Sequence, residues 1–164
     1  MAGSSTAELR LRPTGEDDLD YVVAAESAPE NAPFLAPSPL EVHREFLRDP
    51  GQRHLLAEAG GRRVGFVLLR LHPESRAVEL RRLAVTEKGR GHGRAALREA
   101  MALAFAEHGA HRLWLDVKPH NERARSLYRS AGFVEEGTLR DALYHGARFE
   151  SLVVMSILRP EWPG

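Results

Sequence analysis

The order of the predicted elements places this sequence in the α/β (α+β) class, as a mixed sheet with helices on its faces. Alternating polar and apolar residues predict seven strands, and apolar residues three or four positions apart predict four helices, in the order β-α-α-β-β-β-α-β-α-β-β. Strands outnumber helices, and only the middle of the chain contains a β-α-β unit. A layered fold with one mixed sheet is therefore favoured over a wholly parallel one.

The N-terminal part of the chain predicts a short strand followed by two helices. Residues 8–12 alternate as a strand does, and Thr14 with Asp17 resembles a capping box at the start of a helix over about 15–27. A stretch with four prolines in thirteen residues follows, and we interpret it as an irregular connection to a second helix over about 39–48.

The remaining elements follow from turn residues and periodicity. Gly60-Gly61 is a strong hairpin signal between strands at 54–59 and 63–71. Asn121 is a typical helix cap and Gly132 a typical helix terminator. In order, the later elements are a strand over 76–85, a helix over 94–108, a strand over 112–117, a helix from Asn121 to about 131, and strands over 133–144 and 147–158 that pair across His145-Gly146.

Composition excludes several classes of function. Lys and Arg together number 23, as do Asp and Glu, so the basic excess typical of nucleic-acid binders is absent. The chain has no cysteine, which excludes disulfides, a thiol nucleophile and a thiolate metal site. No segment approaches the run of about 18 apolar residues that a membrane span needs. We expect a single cytoplasmic domain over residues 1–164, with 1–7 as a disordered tail and with no nucleic-acid or membrane partner.

The stretch KGRGHGRAAL at residues 88–97 has three glycines at alternate positions before a good helix former. A P-loop is excluded because Gly-Lys-Ser/Thr occurs nowhere in the chain. The dinucleotide-binding fingerprint nearly fits, but no acidic residue ends a second parallel strand as that fold needs. Backbone N–H groups at the start of the 94–108 helix suit a pyrophosphate, and a glycine-rich turn without a ligand is the alternative.

Two motifs in this chain resemble the Gcn5-related N-acetyltransferase (GNAT) family. Arg90-x-x-Gly93-x-Ala95 resembles the family's Arg/Gln-x-x-Gly-x-Gly/Ala pyrophosphate loop. NERARSLYRSAGF at 121–133 resembles its Asn-x-x-Ala-x-x-Leu-Tyr-x-x-x-Gly-Phe segment at every defined position. The chain departs from the family at Glu87, where a proline is common, and at Ala95, where glycine is an alternative. Residues 133–158 resemble the terminal hairpin of ribosomal-protein N-acetyltransferase-like members.

The resemblance implies a mostly antiparallel sheet of about seven strands with helices on both faces, splayed at the middle to hold CoA. It also implies transfer of an acetyl group from acetyl-CoA to a primary amine by direct attack, with the Val85 N–H polarising the thioester carbonyl. No metal is expected, because Gly109 separates His108 from His111 and no third ligand has a defined spacing. The residues implied to bind the cofactor are Leu83, Ala84, Val85, Arg90, Gly91, His92, Gly93, Arg94, Ala95, Asn121 and Tyr128.

Two proton-transfer steps need residues. The resemblance assigns protonation of the leaving thiolate to Tyr128, although this tyrosine also lies on an apolar helix face where it could be core alone. Glu79 and Asp116 are the candidates for the general base, and Glu79 is preferred. If neither serves, Glu26 on the first helix is the next candidate.

The acceptor is left open between a peptide or protein N-terminus and a small amine. The resemblance implies that the first two helices, their loop and the last hairpin shape its site. Glu26 and Glu30 could attract a cationic amine, but we prefer to interpret them as solvent-facing loop charges. The alternative functions are a catalytically silent acetyl-CoA sensor of the same fold and a nucleotide-binding module. For the oligomeric state, a homodimer is the expectation. The acceptor region comprises Glu26, Glu30, Asn31, Phe34 and residues 140–148.

Overall fold

A computed structural model describes residues 8–164 and contains a seven-stranded sheet with the spatial order β1-β2-β3-β4-β5-β7-β6. Only the β4–β5 pair is parallel among the strand pairs of that sheet. The predicted mixed, mostly antiparallel sheet is therefore confirmed, whereas the predicted tail over 1–7 lies outside the described residues. The strands are β1 (Arg10–Pro13), β2 (Gln52–Ala59), β3 (Arg62–His72), β4 (Ala77–Val85), β5 (Arg112–Val117), β6 (Val134–His145) and β7 (Arg148–Leu158).

Within residues 8–164, four α-helices occupy the predicted places, and two of them differ from the prediction at their ends. The predicted Thr14–Asp17 capping box is wrong, because the Asp18 carboxylate instead accepts from the Gly15 N–H at 2.8 Å. The predicted 94–108 helix begins earlier and ends in a π-helical turn over Leu103–Glu107. Within residues 8–164 no helix is long and apolar enough to cross a membrane. The helices are α1 (Leu19–Ser27), α2 (Leu40–Arg48), α3 (His92–Ala102) and α4 (Glu122–Ser130).

The helices cover the two faces of the sheet unequally. On one face, α3, α4 and the π-helical turn pack on the larger apolar core, which includes Leu97, Phe105 and Met155. On the other, α1 and α2 pack on β2, β3 and β4 around Val22 and Phe66. We call these the α3 face and the α1 face. Among the described residues, the helices of the α1 face cover β2, β3 and β4, and no helix covers β5, β7 or β6 on that face.

Two features of β4 shape the middle of the sheet. Its parallel pairing with β5 ends at Glu79↔Trp114, although β4 continues to Val85 and β5 to Val117, so the two strands splay apart. Leu80 and Arg82 of β4 pair with consecutive residues of β3, Leu69 and Leu68. Arg81 therefore has no partner of its own and is the extra residue of a β-bulge. The predicted splay is thus present, and the bulge changes which β4 side chains face each side beyond it.

Candidate active site

A cavity of about 850 Å³ opens at the splay, on the α3 face of the sheet. The C-terminal end of β4 forms one wall, and α4 forms the other. The loop between β4 and α3 closes one end of the cavity, and the irregular segment after α1 borders it. Eight of the predicted cofactor residues line it: Leu83, Val85, Gly91, His92, Gly93, Arg94, Asn121 and Tyr128.

The loop before α3 bends at two glycines that adopt left-handed backbone conformations. Gly89 has φ 77° and Gly91, the N-cap of α3, has φ 78°. Glycine adopts these angles at little cost, and the resulting turn directs the first N–H groups of α3 toward the cavity. Gly93 differs, because its φ is ordinary and a Cβ built there would meet only Leu127 Cδ2, at 3.5 Å. The fold by itself therefore does not require a glycine at position 93.

The loop end of the cavity carries cationic side chains and a ring nitrogen that lacks a hydrogen-bond partner within the described residues. Lys88, Arg94 and Arg123 line this end together with two carboxylates, Glu30 and Glu87, of which Glu87 is paired with Arg62. Burial, and secondarily the charge of Arg123, lower the pKa of Lys88. His92 Nδ1 is buried here without a hydrogen-bond partner among residues 8–164. Clustered cations that repel one another, an orphaned ring nitrogen and a helix N-terminus together fit the pyrophosphate of CoA.

Three predicted cofactor residues do not line the cavity. Ala84 is buried in the core of the α1 face, as strand alternation requires between two cavity residues. Ala95 is half-buried against the core of the α3 face. The Arg90 side chain is 65% exposed and lies 3.8 Å from Glu87 Oε2.

Tyr128 lies on α4 with its ring against Phe133 and its side chain at the cavity. The residue is only 7% exposed. Burial, and then the negative charge of Asp116, raise the pKa of Tyr128 to about 12. The phenol therefore keeps its proton at neutral pH, and a protonated phenol can act as a donor and not as a base.

Glu79 and Asp116 lie on the α1 face, outside the lining of the cavity, near the point where β4 and β5 separate. Burial, and then the charge of Glu79, raise the pKa of Asp116, although its side chain keeps contact with solvent. Glu79 pairs with Trp114, which is two residues before Asp116 on the same face of β5, so the two carboxylates lie close together. His72 Nε2 lies 3.6 Å from Glu79 Oε2.

Asn31 fixes the segment after α1 to the end of β4. Its Nδ2 donates to the Ala25 carbonyl at 2.9 Å and to the Val85 carbonyl at 3.2 Å, and its Oδ1 accepts from Lys88 Nζ at 2.9 Å. Glu30, Asn31 and Phe34, which sequence reasoning placed at the acceptor site, therefore lie beside the pyrophosphate loop. Lys88 was missed, although its place immediately before the glycines was a usable signal.

The interpretation of Glu26 as a solvent-facing charge is wrong. Glu26 is fully buried, and its Oε1 accepts from His43 Nε2 at 2.6 Å and from the Ser38 N–H at 3.2 Å. Its Oε2 pairs with Arg82, which the bulge in β4 turns toward α1. Both oxygens are occupied by protein groups, which leaves Glu26 no place to receive an incoming amine.

A chain of buried hydrogen bonds continues from this carboxylate. Because Glu26 only accepts, His43 donates through Nε2, and its Nδ1 accepts from His54 Nε2 at 3.1 Å. The Thr14 hydroxyl completes the chain at His54 Nδ1, at 2.8 Å. Burial lowers the pKa of both histidines, which keeps them neutral as this direction of bonding requires. The network joins Thr14, immediately after β1, to α1, α2, β2 and β4.

Comparisons with known proteins agree with this geometry. Residues 19–133 match the Acetyltransferase (GNAT) family. An uncharacterized N-acetyltransferase of Mycobacterium tuberculosis is 36% identical over 131 residues, which span 78% of this chain and 82% of that protein. The spermidine N(1)-acetyltransferase of Escherichia coli is 25% identical over 167 residues, which span 96% of this chain and 90% of that protein. The crystal structure of spermidine N-acetyltransferase from Vibrio cholerae in complex with CoA and spermine superposes with a TM-score of 0.85 at 23% identity, over 96% of this chain and 99% of that one. The chain belongs to the GNAT family and is an acetyl-CoA-dependent N-acetyltransferase.

Proposed function

We propose that this N-acetyltransferase holds acetyl-CoA in the cavity at the splay and acetylates a primary amine that arrives from the α1 face. One observation carries the proposal. The sheet opens between β4 and β5 directly beside a loop whose helix N–H groups and cations suit a pyrophosphate.

Binding would use the backbone of β4 as well as the loop. Thr86 N donates to the Val64 carbonyl of β3, so by alternation the N–H of Val85 points to the opposite side, toward the splay. The Leu83 N–H, two residues earlier in β4, points toward the splay as well. An extended pantetheine arm could therefore pair with β4 like an added strand. Asn121 Oδ1 accepts from the Ala124 N–H, which leaves its amide nitrogen for the other side of the arm.

Acetyl-CoA supplies a thioester whose carbonyl carbon can be attacked directly by an amine nitrogen, with the C–N bond forming and the C–S bond breaking. A splay-facing N–H of β4 would stabilise the negative charge that develops on the carbonyl oxygen, and the Leu83 N–H is nearer than the Val85 N–H to the two carboxylates. The chain has no cysteine to carry the acetyl group covalently, which favours direct attack. Tyr128 would give its proton to the departing sulfur.

The general base is the remaining role, and Glu79 and Asp116 share it as candidates. An ammonium acceptor must lose a proton before it attacks, and both carboxylates lie at the face from which it would arrive. Glu79 is preferred because it lies on β4, the strand that would flank the thioester. Asp116 has the raised pKa that suits a base, and its negative charge also helps to raise the pKa of Tyr128.

The proposal is tested by release of free thiol from acetyl-CoA with a panel of primary amines. Tyr128→Phe should lower kcat by about 10² or more, because it removes the proton donor, while the packing against Phe133 is kept. Tyr21→Phe is the control, since it also removes one tyrosine hydroxyl, which bonds Thr86 outside the lining of the cavity. CoA binding without amine-dependent thiol release would contradict the proposal. A kcat of Tyr128→Phe within a few-fold of wild type would remove Tyr128 from the mechanism.

One domain, a cytoplasmic location and a homodimer remain predictions from the sequence.

A further inference from the structure

The half of the α1 face without helices carries an exposed row of apolar side chains. Val153, Met155 and Ile157 of β7 are buried in the core of the α3 face, so the residues between them point to the α1 face. Their partners across the sheet share this direction, through the pairs Trp114↔Ser156, Leu139↔Leu152 and Val134↔Ser156. We call this row the apolar strip, and it consists of Trp114, Val134, Leu139, Leu143, Leu152 and Val154.

The strip is exposed and adjoins the proposed reaction centre. Leu139 is 49% exposed and Val134 is 55% exposed, and the other members are partly exposed. Asp116 pairs directly with Val154, so one end of the strip lies beside a candidate base. Neighbouring strands are about 4.8 Å apart, so the strip extends about 10 Å from β5 to β6. An extended peptide advances about 3.3 Å per residue, so three residues would cover that width.

The carboxylates along the strip are already neutralised by the protein. Glu150 lies 3.0 Å from Lys118 Nζ. Glu136 pairs with Arg112 and accepts from Ser156. A polyamine needs carboxylates for its remaining ammonium groups, but the anionic groups here are concentrated at the reacting end, at Glu79 and Asp116. The chemistry of the face therefore favours an acceptor with one ammonium group on an otherwise apolar body.

We propose that the acceptor is the N-terminal amine of a peptide chain whose next two or three residues are apolar, seated on the apolar strip. The inference rests on the proposed function, because it assumes that the amine arrives from the α1 face. It deepens that function by excluding a cationic chain such as spermidine as the preferred substrate. A second copy of this chain is the competing occupant of the strip.

The experiment compares three acceptors by acetyl-CoA thiol release: Ala-Leu-Leu-amide, Ala-Lys-Lys-amide and spermidine. The two peptides present the same reacting amine and differ only in their second and third side chains. Burial of a leucine side chain on the half-exposed strip predicts a kcat/KM about tenfold higher for the leucine peptide than for the lysine peptide. A higher kcat/KM for spermidine or for the lysine peptide would overturn the inference and leave acetyl transfer to an amine intact.

Two variants locate the effect. Leu139→Gln and Leu152→Gln should each raise KM for the leucine peptide about threefold or more without changing kcat or the Tm increase caused by CoA. Phe149→Gln is the matched control, because Phe149 is 63% exposed on the opposite face of the same hairpin. Unchanged KM for the leucine peptide in both strip variants would overturn the inference. If light scattering also showed that these variants no longer form dimers, the strip would instead be occupied by a second copy of the chain. A Tm increase with CoA but no turnover of any acceptor would refute the proposed transfer as well.

Discussion

Replacement of Glu26 by glutamine tests the buried network at its only carboxylate. Glutamine keeps the size of the side chain, but it removes the negative charge that Arg82 faces, and it leaves the His43–His54–Thr14 chain without its terminal anion. Removal of one partner from a buried ion pair costs about 3–5 kcal/mol. In a domain of this size each kcal/mol lowers Tm by about 2–4 °C, so we expect Tm to fall by about 10 °C.

The free energy of unfolding is measured by urea titration and checked by thermal melting. Glu41→Gln is the matched control, since Glu41 lies on the surface of α2 at 59% side-chain exposure and pairs with Arg44 and Arg48. Such surface pairs contribute about 0–1 kcal/mol. An unfolding free energy for Glu26→Gln within about 1 kcal/mol of the Glu41→Gln value would refute the claim that this carboxylate holds α1, α2 and β4 together.

Two further predictions concern pH. If Glu79 is the base, the acid limb of the pH–rate profile should disappear in Glu79→Gln and persist in Asp116→Asn. If Asp116 is the base, the limb should disappear in Asp116→Asn and persist in Glu79→Gln. In that case the midpoint of the wild-type limb should lie above the ordinary carboxyl pKa of about 4. Retention of the limb in both variants would exclude both carboxylates. The second prediction is that the free energy of unfolding falls in acid. Burial, and then the charge of His43, lower the pKa of His54 to about 4 in the folded chain. In the unfolded chain the pKa of a histidine is about 6.5. The unfolded chain therefore binds more protons, and stability that is complete above about pH 6.5 is lost as the pH falls toward 4, by about 2 kcal/mol between pH 7 and pH 5. Equal urea midpoints at the two pH values would contradict this assignment.

The elements that sequence predicted well are those set by local chemistry. Gly60-Gly61, Asn121 and Gly132 each determine a turn or a helix end, and each lies where predicted. The glycine loop was predictable for the same reason, because its left-handed angles and the helix start need no distant partner.

The elements that sequence missed depend on packing between distant segments. Glu26 lies in the last turn of α1, and only the approach of Arg82 from β4 makes it part of a buried ion pair. The bulge at Arg81 arises from the register between β3 and β4, which leaves no pattern in either strand alone. Thr14 was assigned to a cap because the local spacing fits one, but its hydroxyl instead contacts His54, forty residues away along the chain.

The placement of acetyl-CoA at the splay is tested most directly by the change in Tm that CoA causes in wild type, Gly93→Val and Gly15→Val. Both glycines have ordinary backbone angles and room for a Cβ, with the nearest atoms at 3.5 Å for Gly93 and 3.6 Å for Gly15, so both variants should fold. At a concentration of about a hundred times Kd, CoA should stabilise wild type and Gly15→Val by about 2.7 kcal/mol, a Tm increase of about 5 °C or more. Gly93→Val should show no increase, because its side chain would occupy the space in which the pyrophosphate meets the first turn of α3. An equal Tm increase in all three proteins would contradict that placement.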